Sequence, residues 1–309
     1  MKTVLAVAVG PQKDLLFRDK GKLGEVRPYI QGLIDGLAAR GHHLGADYVI
    51  QYRERDLDTL ASKNGAAGAF KPESGSEDDV LIFGMSTTIV RAAQGVTKSI
   101  PIVGIVSEPA KEKVNRSANI CGVSARRSQT AGDCFERFLA TVPSLKKVMV
   151  LHKPGYTPSD RSLKLVKTAA KKRGVSVSPV TVKSRADIEN KLKAMAKRDL
   201  KKPADVGILV LPVDVCLGAA QTIGELAQQQ KNLPVFWPIT DHVRSGAFGG
   251  YGVPQRKCGE LMAELVERIL WHSGKAAALK YKDAPDDAFE WAVSSAAAEA
   301  LNIKLPSIR

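Results

Sequence analysis

The chain has 309 residues, with 44% hydrophobic and 25% charged residues and a formal net charge of +14. That length favours two compact lobes over one, and the composition excludes a wholly disordered chain. No stretch reaches the roughly 20 apolar residues of a membrane-spanning helix, and no helix-turn-helix, zinc spacing or aromatic platform makes the basic charge a nucleic-acid signature.

The first apolar run, Thr3–Val9, reads as a buried strand and not as a signal h-region, because no small-residue cleavage site follows it. A long basic loop is expected over Pro11–Arg27. Strands then follow at Asp47–Tyr52, Val80–Phe83 and Ile102–Val106, with helices at Val26–Arg40, Leu57–Gly68 and Thr87–Thr97 between them.

A second series has the same design, with strands at Val148–Leu151, Val175–Val182, Val206–Leu211 and Val235–Trp237. Its helices run from Ser159 to Arg173, stopped by Gly174, from Ser184 to Arg198, and from Leu217 to Gln230. Strands alternating with helices predict an α/β fold of two doubly wound parallel-sheet lobes.

No Pro/Gly/Ser-rich tether separates the series, so short extended crossings are expected to join the lobes in a three-crossing hinge. Candidates are Ser107–Pro109, Pro238–Thr240 and Lys280–Pro285. The expected lobes are residues 1–107 plus 240–280 and residues 108–239 plus 281–309, with a ligand cleft between them.

In open parallel sheets, ligands sit beyond the carboxyl ends of the strands. Ser86, Thr87 and Thr88 open a helix whose free N–H groups suit a carboxylate or other oxygen-rich group, or Ser86 or Thr87 simply caps it. Ser107 and Glu108 follow the next strand. After Leu151, the segment containing Tyr156, Thr157, Ser159 and Arg161 forms a second anion candidate, with Ser159 expected to cap the helix and Arg161 either forking onto a carboxylate or standing as a surface charge. Asp214, in Pro212-Val213-Asp214, either accepts from a ligand amine or hydroxyl or caps the following helix. Trp237, Phe248 and Tyr251 offer rings to an apolar or aromatic ligand body, with core packing the alternative for Trp237 and a turn or close backbone approach for the glycine-flanked Phe248, and Asp241 lies beside them.

The basic residues Lys164, Lys167, Lys171, Lys172, Arg173, Lys191, Lys193, Lys197, Arg198, Lys201 and Lys202 recur at helical spacing and read as solvated helix faces. Cys121, Cys134, Cys216 and Cys258 form no CxxC or Cys/His cluster and read as small buried residues. His42, His43, His152, His242 and His272 have no metal spacing, and no GxSxG, P-loop or nucleophile–base pair marks an enzyme. Neither cofactor nor metal is expected, and the paired carboxylates Asp78-Asp79 and Asp286-Asp287 read as solvent-exposed.

Three segments carry a resemblance. Ser117–Ser124 is similar to an Asn-x-Thr-Gly-x-Ser segment, Val142–Val148 precedes the second lobe's first strand, and Ala298–Pro306 closes the chain. Together they resemble the ABC-transporter substrate-binding proteins of the tryptophan/tyrosine-type group, which have the type I periplasmic-binding-protein fold. The resemblance implies capture of a small amino-acid-like or aromatic solute by hinge closure, delivery to a membrane permease, and a monomer or weak dimer in the periplasm or another extracytoplasmic space, its signal peptide removed.

In that family, the loops matching Asp214 and Tyr156–Ser159 hold the ligand's amino and carboxylate groups. Pro158-Ser159 stands where the family has Asn-Ser, and Cys121 where it has Thr, which points to a different carboxylate-bearing solute. The alternatives are a sensor that reports ligand to a receptor or regulator, and an enzyme on the same fold.

Overall fold

The computed structural model describes residues 1–9, 13–18, 28–73, 79–109, 114, 117–198, 205–229 and 233–305. The start of the helix expected from Val26, most of the Pro11–Arg27 loop, Asp78, Lys201, Lys202, Gln230 and Pro306 lie outside the described residues.

The chain runs in four legs. The first carries β1 (Lys2–Val9), β2 (Lys13–Phe17), α1 (Pro28–Ala38), β3 (Tyr48–Arg55), α2 (Leu57–Ala61), α3 (Lys63–Ala69), β4 (Val80–Gly84), α4 (Thr87–Val96), β5 (Ile102–Ile105) and β6 (Ile120–Ser124). The second carries α5 (Ala131–Thr141), β7 (Lys147–His152), α6 (Thr157–Arg173), β8 (Ser176–Thr181), α7 (Arg185–Arg198), β9 (Val206–Val210), α8 (Asp214–Gly218), α9 (Ala220–Gln229), β10 (Val235–Trp237) and β11 (Gly249–Gly252). The third holds α10 (Gln255–Leu270), α11 (Ala276–Leu279) and β12 (Tyr281–Asp283), and the fourth β13 (Glu290–Val293) and α12 (Ser295–Ala300).

These legs fold into two units, residues 1–125 with 255–284 and residues 126–254 with 285–309. The first unit's sheet has the order β12-β6-β5-β4-β1-β3-β2, parallel except for β2, which runs antiparallel to β3. The second unit's sheet has the order β13-β11-β10-β9-β7-β8, antiparallel only at β13. The α/β doubly wound expectation therefore holds in both units.

The unit boundaries differ from the sequence expectation, and strand pairing gives the reason. The first sheet continues beyond Glu108, because β6 pairs with β5 from Ile102↔Ile120 to Ile105↔Val123. Residues 240–254 stay with the second unit, because β11 lies between β10 and β13. Residues 281–284 stay with the first, because β12 pairs with β6 and the Ala284 N–H reaches the Ser124 carbonyl at 2.8 Å. The chain passes between units after Ala125, Pro254 and Ala284, and only the third passage falls within an expected crossing.

Local chemistry sets the element ends. The Ser86 Oγ accepts from the Ile89 N–H at 3.4 Å and starts α4. Gly174, at φ +67°, ends α6. The helix expected over Leu57–Gly68 is two helices, because Ser62 leaves helical geometry and its Oγ accepts from the Gly65 N–H at 3.1 Å. In the first unit α1 packs on α10 through glycines, since a Cβ on Gly259 would lie 2.1 Å from the Tyr29 carbonyl oxygen. The second unit's core includes Phe138 stacked on Phe236, with ring centroids 5.0 Å apart.

Candidate functional site

In the first unit, β4, β5 and β6 end side by side, and their following residues join in one hydrogen-bonded array. The Ser107 N–H donates to the Thr87 Oγ1 at 3.3 Å, and the Ser124 hydroxyl donates to the Ser107 carbonyl at 3.3 Å. Thr87, Ser107, Glu108 and Ser124 are buried, Glu108 to 3% exposure, while Ser86 and Thr88 are half-buried. Thus Ser86, Thr87, Thr88, Ser107 and Glu108 gather at one sheet end, as the strand-end rule anticipates. The expected capping role of Ser86 is also real.

Ser124 is the residue that the sequence reading missed here. It stands last in the Ser117–Ser124 segment, at the carboxyl end of β6, and recognising that segment as a strand would have placed it.

In the second unit, β7 leads into the turn before α6. Gly155 adopts φ +76°, and its N–H donates to the Asp160 Oδ2 at 3.0 Å. Ser159 does not cap α6. Tyr156 holds the capping position without a side-chain bond, Pro158 sits in the first turn, and Ser159 is fully buried with its Oγ accepting from the Lys153 N–H at 3.0 Å. Ser159 therefore closes the loop on itself. Thr157 is exposed, and Tyr156 and Arg161 are half-buried.

Asp214 is the first residue of α8 and half-buried. The capping position belongs to Val213, with no side-chain cap bond, so Asp214 is not the cap of this helix. Asp241 is half-buried in the 3₁₀ turn Thr240–Ser245. Trp237 follows its packing alternative, and Phe248 is packed as well. They are 1% and 2% exposed in the unit's core, the Trp237 carbonyl accepts from the Cys134 thiol at 3.4 Å, and its ring lies 4.3 Å from that of His242.

His152 ends β7 with its Nε2 3.5 Å from the Thr181 Oγ1. Burial pushes its pKa below the usual imidazole value, with Lys167 and Lys191 adding to the shift and Asp160 opposing it. The four cysteines are free and buried, and burial pushes the Cys121 and Cys216 thiols up to about 12. Among the described residues, no group of His, Cys, Asp and Glu could hold a metal ion, and no helix is long and apolar enough to cross a membrane.

Residues 26–307 match the family described as ABC transporter substrate binding protein. No curated protein matches the chain in sequence. Among solved structures, the chain is similar to a conserved domain protein from Vibrio cholerae (23% identity, TM-score 0.75, covering 99% of this chain and 96% of that one). It is also similar to an ABC domain from Streptococcus pneumoniae in complex with L-Trp (17%, 0.75, 99% and 96%). A third likeness is to an ABC transporter solute binding protein from Agrobacterium vitis with bound D-fucose (14%, 0.58, 98% and 99%). At these identities the structures show a shared fold, that of the type I periplasmic-binding proteins. The family match spans nearly the whole chain, and this chain belongs to the ABC transporter substrate-binding proteins.

Proposed function

We propose that this chain captures a small carboxylate-bearing solute, amino-acid-like or aromatic, outside the cytoplasm and hands it unchanged to the membrane permease of an ABC importer. The observation that carries the reading is the array of Thr87, Ser107 and Ser124 with the buried carboxylate of Glu108, assembled at three adjacent strand ends. A buried carboxylate beside fixed hydroxyls suits a solute with its own donors, such as an ammonium group, while the first turn of α4 suits oxygen acceptors.

In this reading Asp214 and the Tyr156–Arg161 segment are further ligand candidates, and binding shifts the population toward a closed form. Trp237 and Phe248 are buried in the core, and the half-buried Tyr156 and Tyr251 are the rings proposed for an aromatic body. The solved relatives bound to L-Trp and to D-fucose bracket the solutes to try first.

The test is calorimetric titration with L-Trp, other amino acids, aromatic acids and D-fucose, on the unmodified protein and on Asp214→Ala and Glu108→Gln. Saturable binding of a carboxylate, recovery of the solute unchanged, and at least a tenfold loss in each variant, equivalent to about 1.4 kcal/mol, is the expected result. Binding of D-fucose alone would overturn the assignment of solute class. Conversion of the solute would overturn the reading itself.

A further inference from the structure

We propose that the exposed face of α6 is a docking surface for anionic phospholipid headgroups, holding this carrier loosely at a membrane. One side of the helix lines an open groove of about 850 Å³ formed by Leu163, Lys164, Lys167, Thr168, Lys171 and Lys172, with Asp160 at its end. All four lysines are exposed. Their spacing puts them in one stripe, and Lys164 and Lys171 are about 10 Å apart along the helix axis at 1.5 Å per residue.

What sets this stripe apart is its pairing. Several cations on other helices are matched by acids: Arg185 with Glu189, the half-buried Lys191 with Asp187, Arg256 with Asp35 and Arg268 with Glu264, as is Arg173 at the end of α6 with Glu136. Among the described residues, no carboxylate pairs with the ammonium group of Lys164, Lys167, Lys171 or Lys172. Asp160, one turn before Lys164, instead accepts from the Gly155 N–H. Like charges three and four residues apart repel along a helix, and an anionic surface relieves that repulsion.

The chemistry of the stripe selects the partner. Its cations are lysines, mobile point charges on flexible stems, and none is an arginine fork for bidentate recognition. Among the described residues, the groove is lined by no aromatic ring on which a base could stack. It is open, and among the described residues that line it every polar side chain is exposed, so none is buried to fix a single phosphate. A sheet of diffuse negative charge fits these features, and polybasic segments bind anionic lipid leaflets through such contacts. Each lysine near the surface strengthens binding about fivefold, so four give weak, reversible and salt-sensitive attachment. This inference is independent of which solute the chain carries.

The experiment is co-sedimentation of the full chain with phosphatidylcholine vesicles, with and without phosphatidylglycerol, at low and high salt. The expected result is binding only to the anionic vesicles, lost at high salt. It should weaken by at least about a hundredfold in the triple variant Lys164→Glu, Lys167→Glu, Lys171→Glu. A control with the same change in net charge, Lys63→Glu, Lys98→Glu, Lys275→Glu, should lose far less. The neutral triple variant to Gln gives the same readout without introduced acids, and unchanged melting confirms that each variant folds. Absence of binding to anionic vesicles, equal losses in test and control variants, or a preference for DNA or heparin over the vesicles would each overturn the proposal.

Discussion

Replacing Gly122 with Ala should be among the most damaging single-atom additions in the first unit. Gly122 lies in the middle of β6 at φ +157°, paired with Gly104 of β5 on one side and Tyr281 of β12 on the other. A Cβ there would stand 1.8 Å from the Gly104 carbonyl oxygen and 2.8 Å from the Tyr281 Cε1. The strand is hydrogen-bonded on both sides and cannot move away from one neighbour without pressing on the other. Overpacking of this kind costs about 1–3 kcal/mol, and forcing a side chain into that backbone region costs about 1–3 kcal/mol more. The expected loss is therefore about 2–6 kcal/mol, a large part of the roughly 5–15 kcal/mol that holds a domain folded.

Gly41→Ala is the matched control. Gly41 also has a positive φ, +87°, but nothing lies within 4 Å of the position its Cβ would take, so only the backbone cost applies. Scanning calorimetry and urea unfolding of both variants measure the difference directly. Melting should fall by roughly 2–4 °C per kcal/mol for a domain of this size, confined to the transition of the first unit, and solute affinity should fall with it because Ser124 is two residues away. A Gly122→Ala variant no less stable than Gly41→Ala would refute the argument.

Arg53 is 5% exposed and its guanidinium donates to the carbonyls of Gly68, Ala69 and Lys71 at 3.2, 3.0 and 2.6 Å, so Arg53→Ala should cost about 2–4 kcal/mol and fray the end of α3, read by hydrogen exchange. Cys121 and Cys216 should resist iodoacetamide at about pH 8 until the protein is unfolded, since thiols raised to about 12 are almost wholly protonated there; labelling at the rate of a free thiol in the folded protein would contradict their burial. His152 has a folded pKa below its ordinary 6.5, so the unfolded chain binds more protons as pH falls through 6.5. Stability should therefore drop below that pH in the unmodified protein more steeply than in His152→Gln, as measured by urea midpoints; parallel profiles would refute the role given to burial.

Much of the fold was legible because parallel strands buried on both faces are unbroken apolar runs, as at Val4–Ala8 and Ile208–Val210. The elements that escaped lack that signal. β11 is Gly-Gly-Tyr-Gly, which as sequence reads as a turn, and its strand character comes from β10 and β13 on either side. β2 lies within a basic stretch and is held by its antiparallel register with β3. β6 was visible as a motif but not as a strand, and this one omission displaced the first unit boundary.

The site was legible to the same extent, and for a related reason. Strand ends can be found from sequence, so the gathering of Thr87, Ser107 and Glu108 at one sheet end was legible, but side-chain use is settled by neighbours distant in the chain. Ser159 is bonded to a backbone N–H six residues earlier and the Trp237 carbonyl accepts from a thiol 103 residues away, and neither partner has a spacing that sequence could display. The basic stripe on α6 illustrates the converse. Its periodicity alone reads as a solvated face, and only the geometry shows that these four lysines, unlike Arg185 and Lys191 on α7 and Arg268 on α10, have no acids opposite them among the described residues. Lys171 and Lys172 lie in the last turn of α6, where the helix dipole favours cations, so the dipole does not account for Lys164 and Lys167, and attachment to an anionic surface is a use of the whole stripe that charge reversal can remove without disturbing either unit.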